Sequence, residues 1–106
     1  MRDKYKVLWD EKAVAELNKI YDYIAQDSVY AARKVKKALI KAADKLKTFP
    51  EGYPREPYLS HLPQHYRFVM KWSYKIIFEV TADTVIVVSI FHTKQHPGRL
   101  IEAMEG

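Results

Sequence analysis

The chain has 106 residues, of which 48% are hydrophobic and 29% charged, and this balance predicts one globular domain rather than a disordered chain. It contains no cysteine, which excludes a disulfide scaffold and thiol chemistry and fits a reducing cytoplasm. The net charge is +5, from 18 Lys and Arg against 13 Asp and Glu. This charge favours an acidic partner, either nucleic acid or an acidic protein.

The sequence does not suggest a membrane protein. The first twelve residues lack the apolar segment of a signal peptide. The longest apolar run, at residues 85–91, is far shorter than the roughly 20 residues that span a bilayer. We therefore expect no membrane partner and a cytoplasmic location.

The first half of the chain predicts a short strand and a helical hairpin. Lys4–Trp9 alternates weakly, as a strand does. Asp10 then stands at an N-cap position, and apolar residues spaced by three and four predict a helix over Glu11–Ala25. Ser28 can cap a second helix, predicted over Val29–Thr48, and the short break between the two helices predicts that they pack as a hairpin.

The second half predicts a small sheet. Residues 49–63 contain four of the five prolines and should form a connection along the surface. Strands are predicted at Tyr66–Trp72, Tyr74–Val80 and Val85–Phe91, and their short turns favour an antiparallel meander. Val85–Phe91 is apolar on both faces and should be a central strand, while Leu100–Met104 predicts a last helical turn.

The element order β-α-α-β-β-β defines an α+β fold. In this fold the helical hairpin packs on one face of a small twisted, mostly antiparallel sheet. The other face should be partly open and is where we expect function. The predicted second helix carries many lysines, which could bind phosphates or an acidic protein, although a lysine face is more often simply solvated.

Polar residues gather where the last predicted strand ends: His92, Lys94, His96 and Arg99. Such a cluster indicates a binding site, although polar residues also mark an ordinary turn. His92 and His96 are four residues apart, a spacing that binds metal on a helix, but Pro97 abuts them and acidic ligands are sparse. We therefore expect no metal and no cofactor.

The first two strands of the predicted meander interleave aromatic residues with Arg67, Lys71 and Lys75. This pattern is typical of surfaces that stack nucleic-acid bases, but strand alternation should place half of the rings in the core. We expect Phe78 to lie in the core and Trp72 to be an exposed contact.

The element order, the segment YKIIF (Tyr74–Phe78) and the strand ending FHTKQHP (Phe91–Pro97) resemble the RelE/ParE superfamily of toxins from bacterial type II toxin–antitoxin systems. The resemblance covers nearly the whole chain. It implies a toxin that a cognate antitoxin neutralises and that acts on one of two targets. These are DNA gyrase, poisoned without catalysis, and ribosome-bound messenger RNA, cut endonucleolytically. The oligomeric state is left open.

The resemblance implies nuclease residues only in part. Members that cleave messenger RNA have an arginine where this chain has Lys75, and a basic residue past the last strand, here Lys94. They often use a tyrosine or histidine near the C-terminus; no tyrosine follows Tyr74, and His96 would have to replace it. These departures favour the ParE-like branch.

Three functions therefore stay open: a gyrase-directed toxin, a metal-independent endoribonuclease and a non-toxic module that binds the antitoxin. The nuclease would use His92 to move a proton, with Lys94, Lys75 and Arg67 stabilising charge on the phosphate. In any of these proteins, the candidate binding residues are Lys71, Trp72, His96 and Arg99.

Overall fold

The computed structural model describes residues 5–105. It contains a four-stranded sheet whose strands are β1 (Lys6–Trp9), β2 (Tyr66–Lys71), β3 (Tyr74–Val80) and β4 (Thr84–His92). Their spatial order is β1-β4-β3-β2, with β1 parallel to β4 and the other pairs antiparallel. This arrangement confirms the meander, the central position of β4 and the α+β class. The predicted start of β1 at Lys4 lies outside the described residues.

The helices form the predicted hairpin. Helix α1 spans Glu11–Ala25, as predicted, and α2 spans Val29–Asp44. The hydroxyl of Ser28 caps α2 by accepting the Ala31 N–H at 3.1 Å. Asp10 precedes α1, but its side chain makes no capping bond; instead its backbone N–H donates to the Val87 carbonyl at 2.9 Å and continues the β1 ladder.

Two of the helical boundaries differ from prediction. The last predicted turn of α2 is a separate 3-10 turn, Lys45–Lys47, followed by further 3-10 turns at Pro50–Gly52 and Pro57–Leu59. The C-terminal element is longer than predicted: α3 spans Pro97–Glu105. A proline is compatible with the first turn of a helix, because the N–H that it lacks has no partner there in any case.

The helical hairpin covers one face of the sheet. Its buried cluster joins Leu17 of α1 and Leu39 of α2 to Ile76 and Val87 of the central strands. Next to it, Phe78 is fully buried, as predicted, and its ring meets that of Tyr53 edge to face at 6.0 Å between centroids. These residues fix the hairpin on the sheet because apolar side chains from both layers share one core.

The opposite face is only partly open. Leu59, from the last 3-10 turn, and Leu100, from α3, pack over Ile77 and Phe91 of the sheet. Met70 of the edge strand β2 remains 45% exposed. The connection at residues 49–63 and the C-terminal helix therefore cover part of this face, which the sequence predicts to be partly open.

Strand β4 contains a β-bulge. Its pairing with β3 changes register between Ile77 and Phe78, which leaves Val88 as the extra residue in β4. Strand β1 pairs with β4 only as far as Val87. Among residues 5–105, no strand neighbours the second half of β4 on the β1 side.

The carboxylate of Glu16, on α1, takes the place of that missing strand. Its Oε1 atom accepts hydrogen bonds from the Ser89 hydroxyl at 2.9 Å and from the Ile90 N–H at 3.0 Å. Both donors belong to buried residues, and Glu16 supplies the acceptor that each of them needs. A bulge locally interrupts the hydrogen bonding of a ladder, so Glu16 supports the sheet at its irregular point.

Candidate functional site

The predicted polar cluster lies where β3 begins and β4 ends. Tyr74 and His92 are paired across these strands, and their rings meet edge to face with centroids 4.9 Å apart. The Thr93 N–H donates to the Ser73 carbonyl at 2.8 Å. The β2–β3 hairpin and the turn after β4 are therefore joined at this end of the sheet.

Both histidines of the cluster hold the backbone in place. His92 Nδ1 accepts the Lys94 N–H at 3.0 Å, and His96 Nδ1 accepts the Gly98 N–H at 2.9 Å in the first turn of α3. The Gln95 side chain accepts the His92 N–H at 3.3 Å. Since Nδ1 of each ring is an acceptor, the neutral form of each imidazole carries its proton on Nε2, which leaves that atom as the donor.

A groove of about 900 Å³ lies between α1, the end of β4 and α3. Its lining includes Lys19 and Tyr23 from α1, His92 from β4, and Arg99 and Glu102 from α3. Charged rims and apolar walls are typical of binding clefts of this volume. The groove brings His92 and Arg99 together, as the sequence cluster suggested, but it does not contain Lys75 or Arg67.

Lys75 points to the other face of the sheet. Its Nζ lies 2.8 Å from Oε1 of Glu56, whose side chain is fully buried, and 4.5 Å from the centroid of the Phe68 ring. A second oxygen of Glu56 accepts the Tyr58 N–H at 3.0 Å. Lys75 is therefore part of a buried ion pair beneath aromatic rings, on the opposite face from His92.

Arg67 also serves the fold in this arrangement. Its Nη1 donates to the Tyr53 carbonyl at 2.6 Å, and its residue is paired with Phe78, several residues along the sheet from the Tyr74–His92 pair. Lys94 is exposed in the turn after β4. The four predicted nuclease residues are thus divided among both sheet faces and two ends of the strands.

The histidine spacing does not produce a metal centre in the described part of the chain. Within residues 5–105, no three His, Cys, Asp or Glu side chains are grouped so that they could hold a metal ion. Elsewhere, Nε2 of His61 lies 2.6 Å from Oε2 of Glu105 in α3. None of the helices in this range is long and apolar enough to cross a membrane.

Two acids that shape this region, Glu16 and Glu56, could not be identified from the sequence. Glu16 occurs among the apolar positions of α1, and Glu56 lies between two prolines, so neither belongs to a recognisable motif. Their partners, Ser89 and Lys75, are 73 and 19 residues away in sequence. Only Glu16 carried a signal, since an acid among the apolar positions of a helix is expected to be partly buried, and a buried charge needs a partner.

Tyrosine burial makes stability sensitive to alkaline pH. Burial raises the pKa of Tyr74, and burial together with nearby Glu79 raises the pKa of Tyr66. A raised phenol pKa contributes stability that is fully present below the unfolded pKa of about 10 and is lost as pH rises through the folded pKa. We expect the unfolding free energy to fall above about pH 10, and Tyr74→Phe to reduce that fall.

The measurement is urea unfolding at a series of pH values. Tyr30→Phe is the matched control, because Tyr30 is 78% exposed. Identical pH profiles for Tyr74→Phe and Tyr30→Phe would contradict the assignment to burial.

Comparison with known protein families identifies the class of this α+β domain: toxins of type II toxin–antitoxin systems. Residues 7–97 match the family model described as "ParE toxin of type II toxin-antitoxin system, parDE". The chain therefore belongs to the ParE toxin family.

A solved structure agrees in fold. It is described as "Chromosomal ParDE TA system from P. aeruginosa", and it is similar with a TM-score of 0.69 and 22% sequence identity. The match covers 84% of this chain and 96% of that one. Among curated proteins, none matches the sequence. Membership of a toxin–antitoxin family implies an antitoxin partner.

Proposed function

We propose that this type II toxin arrests growth by binding DNA gyrase, that it does so without cleaving RNA, and that a cognate antitoxin silences it. Because both proposed partners, gyrase and the antitoxin, are cytoplasmic, we expect the toxin to act in the cytoplasm. Family membership supports the general role. The choice of gyrase over messenger RNA depends on the ParE-like features of the sequence and on the dispersed nuclease candidates.

The ion pair of Lys75 is the observation that carries the most weight against a nuclease. Cleavage of RNA needs an acid, a base and cations close to one phosphate. Lys75 instead approaches Glu56 to 2.8 Å on the face opposite His92, and Arg67 binds a backbone carbonyl. A cation already engaged in a buried pair contributes little to a phosphate elsewhere.

Neutralisation by an acidic antitoxin segment is supported by the outer surface of the helical hairpin. A shallow groove there is lined by Tyr21, Arg33, Lys36, Lys37 and Ile40. Three of these five side chains are cationic, while Ile40 remains 43% exposed. A basic surface with an exposed apolar side chain fits an amphipathic segment that carries acidic residues.

The test is to induce the toxin without its antitoxin and follow growth, DNA supercoiling and messenger-RNA integrity in parallel. We expect growth arrest with loss of negative supercoiling and intact messenger RNA. Normal growth would favour the non-toxic module, and rapid endonucleolytic cleavage of messenger RNA would favour the nuclease.

His92→Asn separates binding from proton transfer. Asparagine can still accept the Lys94 N–H, but it does not titrate near neutral pH. A nuclease that uses His92 should lose roughly 10²-fold or more of its toxicity. A gyrase-binding toxin should keep its toxicity within about tenfold, as measured by the inducer concentration that halves the growth rate.

A further inference from the structure

Trp72 occupies a backbone conformation that tryptophan rarely adopts. It is the only non-glycine residue within residues 5–105 with a positive φ, at 53°. It forms the two-residue turn between β2 and β3 together with Ser73. Glycine or asparagine adopts such a turn at little cost, whereas a bulky side chain there is strained.

Burial does not explain the presence of tryptophan at this position either. Trp72 is 55% exposed, so its ring gains little from the core. A strained backbone together with an exposed large ring is unfavourable for folding. Strain of this kind is typical of binding positions, where the geometry of the side chain matters more than stability.

A cation lies beside the Trp72 ring. We call the surface formed by residues 71–74 and 92–96 the hairpin surface; the bond from the Thr93 N–H to the Ser73 carbonyl joins its two parts. It contains Lys71, Lys94 and two histidines but no aspartate or glutamate. Lys71 Nζ lies 4.8 Å from the centroid of the Trp72 ring, close enough for a cation–π contact.

We propose that the hairpin surface binds a nucleic-acid strand, with an accessible base stacked on Trp72 and phosphates near Lys71 and Lys94. Stacking uses a flat ring held at a fixed position, and it accepts any base. Cations beside the ring attract the phosphate backbone. An acidic protein segment would also meet the lysines, and binding of such a segment in place of nucleic acid is the contrary outcome of the test below.

This inference deepens the proposed function: for a gyrase-directed toxin, the strand would be DNA held by the enzyme. The binding itself does not require gyrase, because every contacting group belongs to this chain. Nucleic-acid binding by the purified toxin and gyrase inhibition in cells can therefore fail independently.

Fluorescence titration of the purified full-length toxin tests the proposal. The chain has two tryptophans, so Trp9→Phe leaves Trp72 as the only indole emitter. We expect oligothymidylate at low salt to quench this emission. In the otherwise native chain, Trp72→Gly should weaken binding of a dye-labelled oligonucleotide by roughly tenfold or more. Lys71→Ala should weaken binding and reduce its salt dependence, with the slope of log K against log salt falling by about 0.7.

Two variants separate a binding role from a structural one. Trp72→Gly relieves the backbone strain, so its Tm should equal or exceed that of the native chain while binding is lost. Tyr30→Ala removes another exposed ring, remote in sequence from the hairpin surface, and should leave binding unchanged. A fall in Tm for Trp72→Gly with unchanged oligonucleotide affinity would overturn the proposal.

Further outcomes are equally decisive. Absence of quenching by oligothymidylate, oligouridylate and duplex DNA at low salt would refute the proposal. Loss of toxicity in Trp72→Gly without any oligonucleotide binding would assign the surface to a protein partner and also refute it. If binding occurs, a higher affinity for oligothymidylate than for oligouridylate supports DNA as the strand, and the reverse order would contradict it.

Discussion

Replacing Lys75 with alanine is expected to lower the free energy of unfolding by about 3–5 kcal/mol, because it leaves a buried carboxylate without its cation. Glu56 is 1% exposed, and the ammonium of Lys75 lies 2.8 Å from its Oε1. The remaining partner of Glu56, the Tyr58 N–H, cannot neutralise the charge. A loss of this size is a large part of the roughly 5–15 kcal/mol that holds a domain folded. Urea unfolding gives the value directly.

Two comparisons show whether the ion pair is the cause. Lys94→Ala removes the same side chain from an exposed turn and should change the unfolding free energy by no more than about 0.5 kcal/mol. The double variant Glu56→Gln with Lys75→Met removes both charges while keeping an acceptor for the Tyr58 N–H, and it should recover most of the loss. The explanation is wrong if Lys75→Ala is as mild as Lys94→Ala.

This prediction changes how a toxicity screen should be interpreted. By the family resemblance, Lys75 lies where members that cleave messenger RNA have an arginine, so a non-toxic Lys75→Ala variant would invite a catalytic explanation. The ion pair predicts the same phenotype through loss of folded protein. Toxicity of Lys75 variants is therefore informative only when it is normalised to the folded fraction, whereas His92→Asn and Trp72→Gly should both stay folded.

Much of the fold follows from local patterns in the sequence. Helix α1 was predicted at both ends because its apolar spacing is regular and Gln26 and Asp27 interrupt it. The end of α2 lies four residues before the predicted Thr48. The apolar stripe continues to buried Leu46, but Leu46 belongs to a 3-10 turn whose spacing is nearly that of the α-helix. Helix α3 begins at Pro97, before the predicted Leu100, because proline is tolerated at a first helical turn although it usually ends an element of secondary structure.

The site was less predictable, because its geometry depends on how the layers pack. Period-two alternation places Lys75 and His92 on opposite faces once their pairing partners, Phe91 and Tyr74, are known. The alternation of side chains can be predicted from the sequence, but the register in which β3 pairs with β4 cannot. Trp72 is exposed, as predicted. Its positive φ could not be predicted, because the turn that it forms contains neither glycine nor asparagine.

Glu16→Ala should lower the free energy of unfolding by about 1–3 kcal/mol, because it removes the acceptor of two buried donors at the bulge. The Ser89 hydroxyl and the Ile90 N–H both bond to Glu16 Oε1. The adjoining groove of about 900 Å³ lets water replace part of this acceptor, which is why the expected loss is smaller than that for Lys75. The Ile90 amide should also exchange its hydrogen faster, since none of the strands in the described part of the chain covers that edge of β4 beyond Val87.

Two variants test this role of Glu16 against a simple charge effect. Glu102→Ala deletes the same charge from an exposed residue that lines the same groove, and it should change the unfolding free energy by at most about 0.5 kcal/mol. Glu16→Gln keeps an oxygen acceptor and should retain most of the stability and of the Ile90 protection. If Glu16→Ala unfolds at the same urea concentration as Glu102→Ala, with Ile90 still protected, the bulge is held by packing alone. In that case α1 would not substitute for the missing strand, and the shape of the groove would depend on α3 and the Tyr74–His92 contact instead.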